Sequence, residues 1–253
     1  MNDWTARVRA TAIHLGISLI IAALAALLVF GFWYPYPYRE ISGGRELFFL
    51  VVSVDVVLGP LITLVVFNRA KPSFVLRRDF VVIGLLQLSA LAYGLWTVSI
   101  ARPVHLVFEV DRFRPVHAVE IDPASLHQAP AGLRRLPLTG PTLIAVRPFR
   151  NENERAQSIL MEMRGVSLGI RPELWMEYAQ AQQAVRAQSR PVATLKSRKP
   201  GQTAAIDAVL AKHGIDPVSA SYLPMVARDS FWTVFIDPVN ARPVAFMPLD
   251  PYD

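Results

Sequence analysis

The apolar run IHLGISLIIAALAALLVFGFW at residues 13–33 decides the fold class of this chain. It contains no aspartate, glutamate, lysine or arginine, and at about 1.5 Å per helical residue it crosses a hydrocarbon core of about 30 Å. The apolar region of a cleaved signal peptide would be shorter, about 7–15 residues, and would end in a small-x-small site. This run ends in the aromatic stretch FGFWY, which offers no such site. We therefore interpret it as a membrane anchor.

Two further runs, at residues 47–67 and 80–100, are also long enough to cross a bilayer. Asp55 and Pro60 interrupt the first of them. Aromatic residues, which favour the headgroup boundary, stand near several ends of the runs. The sequence therefore predicts a membrane protein with three transmembrane helices, at about 13–33, 47–67 and 80–100.

The placement of lysine and arginine predicts the orientation of these helices. Arg7 and Arg9 precede the first run, and the loop between the second and third runs contains Arg69, Lys71, Arg77 and Arg78. The loop between the first and second runs contains only Arg39 and Arg45. The positive-inside rule then places the N-terminus in the cytoplasm. With three spans in a bacterial inner membrane, the C-terminal part then lies in the periplasm.

Composition supports a membrane protein and excludes several function classes. The 253 residues are 53% hydrophobic, and the mean hydropathy of +0.33 is high for a soluble chain. The net charge of +6 comes from scattered or juxtamembrane residues, so it does not indicate a nucleic-acid partner. The lack of cysteine excludes disulfides, thiolate catalysis and cysteine-ligated metals.

The apolar pattern ends near residue 102, so we divide the chain into a membrane domain at 1–102 and a periplasmic domain at 103–253. The predicted strands of the second domain are 104–110, 113–121, 142–146, 221–227, 231–236 and 244–247. The predicted helices are 151–164, 172–188 and 202–213, with residues 189–201 as a loop. This pattern predicts an α+β domain in which helices cover one face of a small antiparallel sheet.

Asp55 is the most informative single residue, because an ionisable group inside a span costs about 2.5–3.5 kcal/mol on insertion scales. By depth in the membrane, Tyr93 on the third span is its expected hydrogen-bond donor. Two alternatives remain open: contact with a polar group on the membrane helix of a partner, and a proton relay. Gly59-Pro60 breaks the helical ladder just after Asp55, and neighbouring groups must then satisfy the freed carbonyl.

No catalytic, cofactor or metal site is predicted. The sequence has no G-x-S-x-G nucleophile elbow, no HExxH and no second membrane aspartate to share a proton with Asp55. His105 and His117 could face each other across the predicted hairpin, but two histidines alone make a poor zinc site. The sequence does not indicate an enzyme.

Several short stretches together point to a known family. In the first half they are FWYPYPY at 32–38, ISGG at 41–44, VDVVLGPL at 54–61, VFN at 66–68, QL at 87–88, ALAYG at 90–94, ARPV at 101–104 and VFEVDRF at 107–113. In the second half they are LP at 223–224, WTV at 232–234 and PLDP at 248–251. This combination resembles the TfpX/TfpZ-type family of type IV pilin accessory proteins.

The resemblance implies a non-enzymatic role as a chaperone or assembly modulator that binds the major pilin in the inner membrane. The implied partners are the major pilin, other inner-membrane components of pilus assembly and the lipid bilayer, with no cofactor. The candidate contact residues are Ser53, Asp55, Gly59, Pro60, Thr63 and Tyr93 in the membrane, and Phe231 and Trp232 in the periplasm. The alternative is a membrane-anchored sensor or scaffold that binds a small ligand or an envelope component.

Overall fold

A computed structural model describes residues 3–68 and 70–252 of the chain. The chain separates into two compact units, residues 1–102 and residues 103–253.

Three helices of the first unit are long and apolar enough to cross a membrane. They are span 1 (Trp4–Trp33), span 2 (Gly44–Val66) and span 3 (Ser73–Ile100). Each begins earlier than predicted, because the helix continues through polar turns before the apolar run starts. His14 therefore lies well inside span 1 instead of at its beginning.

Spans 1 and 2 contain π-helical segments. Span 1 comprises α1 (Asp3–Ala26) and a π-helical end at Leu27–Trp33. Span 2 comprises α3 (Gly44–Ser53), a π-helical segment at Val54–Leu58 and α4 (Gly59–Val66). A short helix α2 (Tyr38–Ile41) precedes span 2, and α5 (Ser73–Ile100) forms span 3.

An apolar cluster closes one end of the membrane unit. Ala25, Val29 and Tyr34 from span 1 and the segment after it pack with Phe48 of span 2 and Val98 of span 3. The Tyr34 hydroxyl donates to the Val98 carbonyl at 3.0 Å. These contacts join the C-terminal ends of spans 1 and 3 to the N-terminal end of span 2.

The described residues of the second unit form one eight-stranded mixed sheet. Its strands are β1 (Pro103–Glu109), β2 (Arg112–His117), β3 (Thr142–Val146), β4 (Trp175–Glu177), β5 (Arg190–Pro191), β6 (Ser221–Val226), β7 (Phe231–Ile236) and β8 (Pro243–Met247). The order is β4-β3-β1-β2-β6-β7-β8, with β5 paired to β6. The expected β1–β2 hairpin and β6–β8 meander are confirmed as antiparallel.

The expectation of a small antiparallel sheet is wrong, because β3 pairs parallel with β1 and β6 pairs parallel with β2. Parallel neighbours need a long crossover. Strand β2 returns the chain to the start of β1, and residues 118–141, which contain three short 3-10 turns, then cross to the other side of β1, where β3 begins. The sequence pattern identified six of the eight strands and gave no information about these crossovers. The predicted helix at 172–188 is wrong in its first part, because β4 lies there and the helix begins only at Tyr178.

Four α-helices and two strands lie between β3 and β6 along the chain: α6 (Glu152–Met163), β4, α7 (Tyr178–Gln188), β5, α8 (Val192–Arg198) and α9 (Thr203–Lys212). The Asn151 side chain caps α6 by accepting from Glu154 N at 2.8 Å, at the start of the helix that the sequence predicted at 151–164. The predicted loop at 189–201 is wrong, since β5 and α8 lie there. Val192 and Leu195 are buried in the core, and this burial stabilises a helix in a polar stretch.

Candidate functional site

His14, Asp55, Thr63 and Gln87 form a polar cluster inside the membrane unit, here called the intramembrane cluster. His14 Nδ1 lies 2.6 Å from Thr63 Oγ1, and His14 Nε2 lies 2.8 Å from Gln87 Oε1. An amide oxygen only accepts, so Nε2 carries the proton and, in a neutral ring, Nδ1 accepts from the Thr63 hydroxyl. His14 thus links span 1 to both other spans.

Gln87 also satisfies a backbone group that Pro60 leaves free. In a π-helix each N–H donates to the carbonyl five residues earlier, so the Asp55 carbonyl would accept from residue 60. Pro60 has no N–H. Gln87 Nε2 donates to the Asp55 carbonyl at 3.3 Å and takes the place of that missing donor. The sequence argument required such a neighbouring donor without identifying it.

Gly59 provides the space that this contact needs. A Cβ atom on Gly59 would collide with the side-chain amide of Gln87. Spans 2 and 3 also approach closely near Gly94, where a Cβ atom would lie 2.6 Å from the methyl groups of Val51. Small residues of this kind allow helices to pack closely in a bilayer.

The backbone carbonyl of Asp55 has a hydrogen-bond partner, but one oxygen of its side-chain carboxyl group has none among the described residues. The residue is only 6% exposed, and among the described residues its Oδ1 atom has no hydrogen-bond partner. The expected bond from Tyr93 is not made. Tyr93 is 68% exposed, and its ring packs on Trp96 with 5.8 Å between centroids. The residue of span 3 that contacts Asp55 is Gln87, and Tyr93 lies on another face of its helix.

Asp55 lines an open groove of about 400 Å³ between spans 1 and 3, here called the membrane groove. Its polar lining residues are His14, Ser18, Asp55 and Gln87, and its other lining residues are apolar or glycine. Span 2 packs against both neighbouring spans and provides the floor of this groove. The unpaired carboxyl oxygen therefore belongs to a side chain that borders open space.

The structure separates the other candidate contact residues. Gly59, Pro60 and Thr63 are buried, and Gly59 and Thr63 already contact neighbouring spans. Ser53 is exposed, and its hydroxyl donates to the Leu50 carbonyl at 2.9 Å. These residues therefore do not form one continuous contact surface.

In the second unit, Phe231 and Trp232 lie on an interior strand of the sheet. Phe231 is 45% exposed and packs edge-on against Tyr252, with 5.4 Å between centroids. Trp232 is buried, and its indole N–H donates to Ser230 Oγ at 3.2 Å. In the strand order β4 and β8 occupy the two ends, so β7 offers a side-chain face instead of a free edge.

Sequence reasoning missed His14 and Gln87 as members of the site. The available signal was a histidine and a glutamine inside otherwise apolar runs, since polar residues in spans usually face the bundle interior. Their mutual contact depends on how each helix is rotated about its axis, and the sequence alone does not fix that rotation.

The two hairpin histidines of the second unit have separate partners. His105 Nδ1 lies 2.7 Å from Thr142 Oγ1, whereas His117 Nδ1 lies 2.7 Å from a Glu120 carboxylate oxygen. Burial lowers the pKa of His105 to about 4, so the ring is neutral at pH 7. Across the described ranges no three histidine, aspartate or glutamate side chains are grouped to hold a metal ion.

Together, fold and site define a multi-span membrane protein with a buried polar cluster in its bundle and a separate α/β domain. The family model "Fimbrial assembly protein FimB" matches residues 2–43. Fimbrial assembly proteins of Dichelobacter nodosus are similar to this chain over most of its length. The protein of serogroup I is 36% identical over 89% of this chain and 88% of the relative. The protein of serogroup E1 is 35% identical over the same shares of the two chains. The chain belongs to this family of fimbrial assembly proteins. No solved structure matches it.

Proposed function

We propose that this protein is a non-enzymatic accessory factor of type IV fimbria assembly that binds the major pilin in the inner membrane. The relatives are named as fimbrial assembly proteins, which supports a role in that process. The TfpX/TfpZ-type resemblance supports the narrower role of a pilin chaperone or assembly modulator.

The observation that carries the pilin-binding part is the carboxyl group of Asp55. Placing a charged residue at the centre of a span costs about 2.5–3.5 kcal/mol, and such residues normally pair within the protein. Asp55 is residue 12 of the 23 in span 2, and its Oδ1 is unpaired among the described residues. A contact with another membrane helix explains why this costly group is present.

A two-unit architecture suits a pilin that awaits assembly. Such a pilin has one hydrophobic helix in the bilayer and a head domain in the periplasm. In the orientation predicted by the positive-inside rule, the membrane unit meets the helix and the α/β domain meets the head. Two weak contacts on linked units reinforce each other through effective concentration.

Deletion of this protein in its native host tests the proposal. We expect lower pilin abundance or surface piliation with unchanged prepilin cleavage, measured by pulse-chase labelling and by counting surface fimbriae. Complementation with the intact chain provides the control. Normal pilin half-life together with normal piliation in the deletion strain would contradict the proposed function.

A further inference from the structure

We propose that the membrane groove is the docking site for one transmembrane helix of a partner, which donates a hydrogen bond to Asp55. The inference rests on the proposed function in taking the membrane helix of the major pilin as the occupant. It adds the place on this chain where that helix binds and the chemistry that the helix must bring.

Each wall of the groove is formed by residues whose sequence intervals are those of one helix face. On span 1 the wall is formed by Ala10, Ile13, His14, Ile17, Ser18 and Ile21. On span 3 it is formed by Phe80, Ile83, Gly84, Gln87, Leu88 and Leu91. Both sets repeat at intervals of three and four residues, which is the spacing of one helix face. At about 1.5 Å per residue each wall is about 16 Å long.

The His14–Gln87 hydrogen bond links these two faces, but their apolar residues are more exposed than those at the other end of the bundle. Ala25 and Val29 of span 1 meet Val98 of span 3 in the closed apolar cluster. Along the groove, by contrast, Ile13 is 57% exposed and Leu88 is 59% exposed. A fourth helix can therefore lie over the open faces of spans 1 and 3, along about two-fifths of the length of each span.

Asp55 distinguishes a helix from a lipid chain as the occupant. The exposed isoleucines and leucines of the walls are compatible with either. An acyl chain has no hydrogen-bond donor, so a lipid tail in the groove would leave Asp55 Oδ1 unpaired in an apolar medium. Oδ1 is itself buried, so a helix with a donor side chain at the level of Asp55 pairs with the carboxyl group when that group turns toward the groove that its side chain lines. Such a helix also packs its ridges against both walls.

Gly84 marks a free space in the wall of span 3. A Cβ atom on Gly84 would meet nothing within 4 Å, so packing within this chain does not require a glycine at this position. Gly16 is equally open but does not line the groove. The two glycines therefore offer a matched pair of positions: one inside the groove and one outside it.

Photo-cross-linking of the full chain in living cells tests the docking site. We place p-benzoylphenylalanine at Leu88 in the groove, and at Leu86 as the control. Leu86 is 65% exposed and points about 200° away on the same helix. We expect an adduct with pilin from the Leu88 position that is several-fold stronger than from the Leu86 position.

Substitutions in the cross-linking strain test the shape and the chemistry separately. Gly84→Phe fills the groove and should abolish the Leu88 adduct, whereas Gly16→Phe should leave it unchanged. Asp55→Leu should lower the adduct yield about threefold, the effect of one interhelical hydrogen bond. Asp55→Asn keeps an acceptor oxygen and should lower it less.

The outcomes separate this inference from the proposed function. If Leu88 captures only lipid, captures a protein other than pilin, or gives an adduct that Gly84→Phe does not change, the docking inference is wrong even where deletion lowers piliation. An adduct yield that Asp55→Leu leaves unchanged would refute the role of the carboxyl group. If pilin is captured but the deletion strain has both a normal pilin half-life and normal piliation, the docking inference stands and the proposed function fails.

Discussion

Asp55 has two polar groups with different partners, and this difference predicts how its substitution will act. The carbonyl oxygen accepts from Gln87, whereas the carboxyl oxygen Oδ1 has no partner among the described residues. An unpaired buried polar group costs about 1–3 kcal/mol, and a nonpolar residue of similar size removes that cost. Asp55→Leu should therefore keep or raise the stability of the bundle in detergent while piliation falls toward that of the deletion strain.

Resistance to unfolding in a denaturing detergent and fimbria counts measure these two effects. Tyr93→Phe is the control for the stability measurement, because the Tyr93 hydroxyl does not pair with Asp55 and its loss should leave the stability of the bundle unchanged. A clear loss of stability in the Asp55→Leu variant would show that the carboxyl group has a structural partner after all.

The sequence identified Asp55 as the central residue of the site but assigned the wrong partner. A count along two antiparallel helices gives depth, and depth alone selected Tyr93. The side of the helix that Tyr93 occupies follows from how span 3 is rotated against its neighbours. Close packing of spans 2 and 3 sets that rotation, through the contact between Gly94 and Val51 and the contact between Gly59 and Gln87.

His105 makes the stability of the second unit depend on pH. The ring is 1% exposed and lies edge-on against Trp175, and burial lowers its pKa from 6.5 to about 4. Between these two values the unfolded chain binds more protons than the folded chain, so stability falls as the pH falls. The full loss would be on the order of 3 kcal/mol.

We expect the thermal unfolding temperature of the detergent-solubilised chain to decrease from about pH 6.5 to about pH 4. Tryptophan fluorescence can follow this transition. His105→Asn, which retains a polar atom near Thr142, should flatten the pH dependence whatever its effect at neutral pH. His127→Gln alters an exposed histidine and should leave the slope unchanged; a steep slope retained in His105→Asn would contradict the assignment.

At the scale of elements, the π-helical segment of span 2 and the Gln87 side chain act together. Gln87→Leu removes the donor to the Asp55 carbonyl, and Pro60→Ala restores a backbone N–H that can donate to the same oxygen. The cost of Gln87→Leu should therefore be smaller in the Pro60→Ala background. We expect a coupling on the order of 1 kcal/mol, within the usual range for groups that share a partner.

A double-mutant cycle on detergent unfolding measures this coupling. Part of the cost of Gln87→Leu will remain in either background, because Gln87 also accepts from His14. Thr63→Val provides a comparison, since it removes a His14 contact without affecting the Asp55 carbonyl. Thr63→Val should show no coupling with Pro60→Ala. If the effects of Gln87→Leu and Pro60→Ala were strictly additive, the Gln87 amide would not replace the backbone N–H that Pro60 lacks.

The helices and strands of the α/β domain show which parts of a fold are determined by local sequence patterns. The capped helix α6 and the meander β6–β8 depend on short-range signals, and the sequence predicted them nearly in full. The parallel pairs β1–β3 and β2–β6 join residues that long connections separate, and no local signal marks such pairing. Helix α8 forms in a polar stretch because burial of Val192 and Leu195 outweighs its composition.

For the whole molecule, the proposed function requires the α/β domain to lie across the membrane from the loop that joins spans 2 and 3. Lysine and arginine placement predicts this arrangement, with the loop in the cytoplasm. The chain contains no cysteine, so one introduced thiol reports its own side of the membrane without background. Val218, which is 92% exposed, and Ala70, which is exposed in the loop, are suitable positions.

We expect a membrane-impermeant maleimide added to intact spheroplasts to label the Val218→Cys variant and to label the Ala70→Cys variant only after lysis. Permeabilised cells, in which both variants should react, control for local reactivity. The reverse pattern would place the α/β domain in the cytoplasm, where it could not reach the head of a pilin. Contact with the pilin would then be restricted to the membrane groove, and the two-contact part of the proposed function would be wrong.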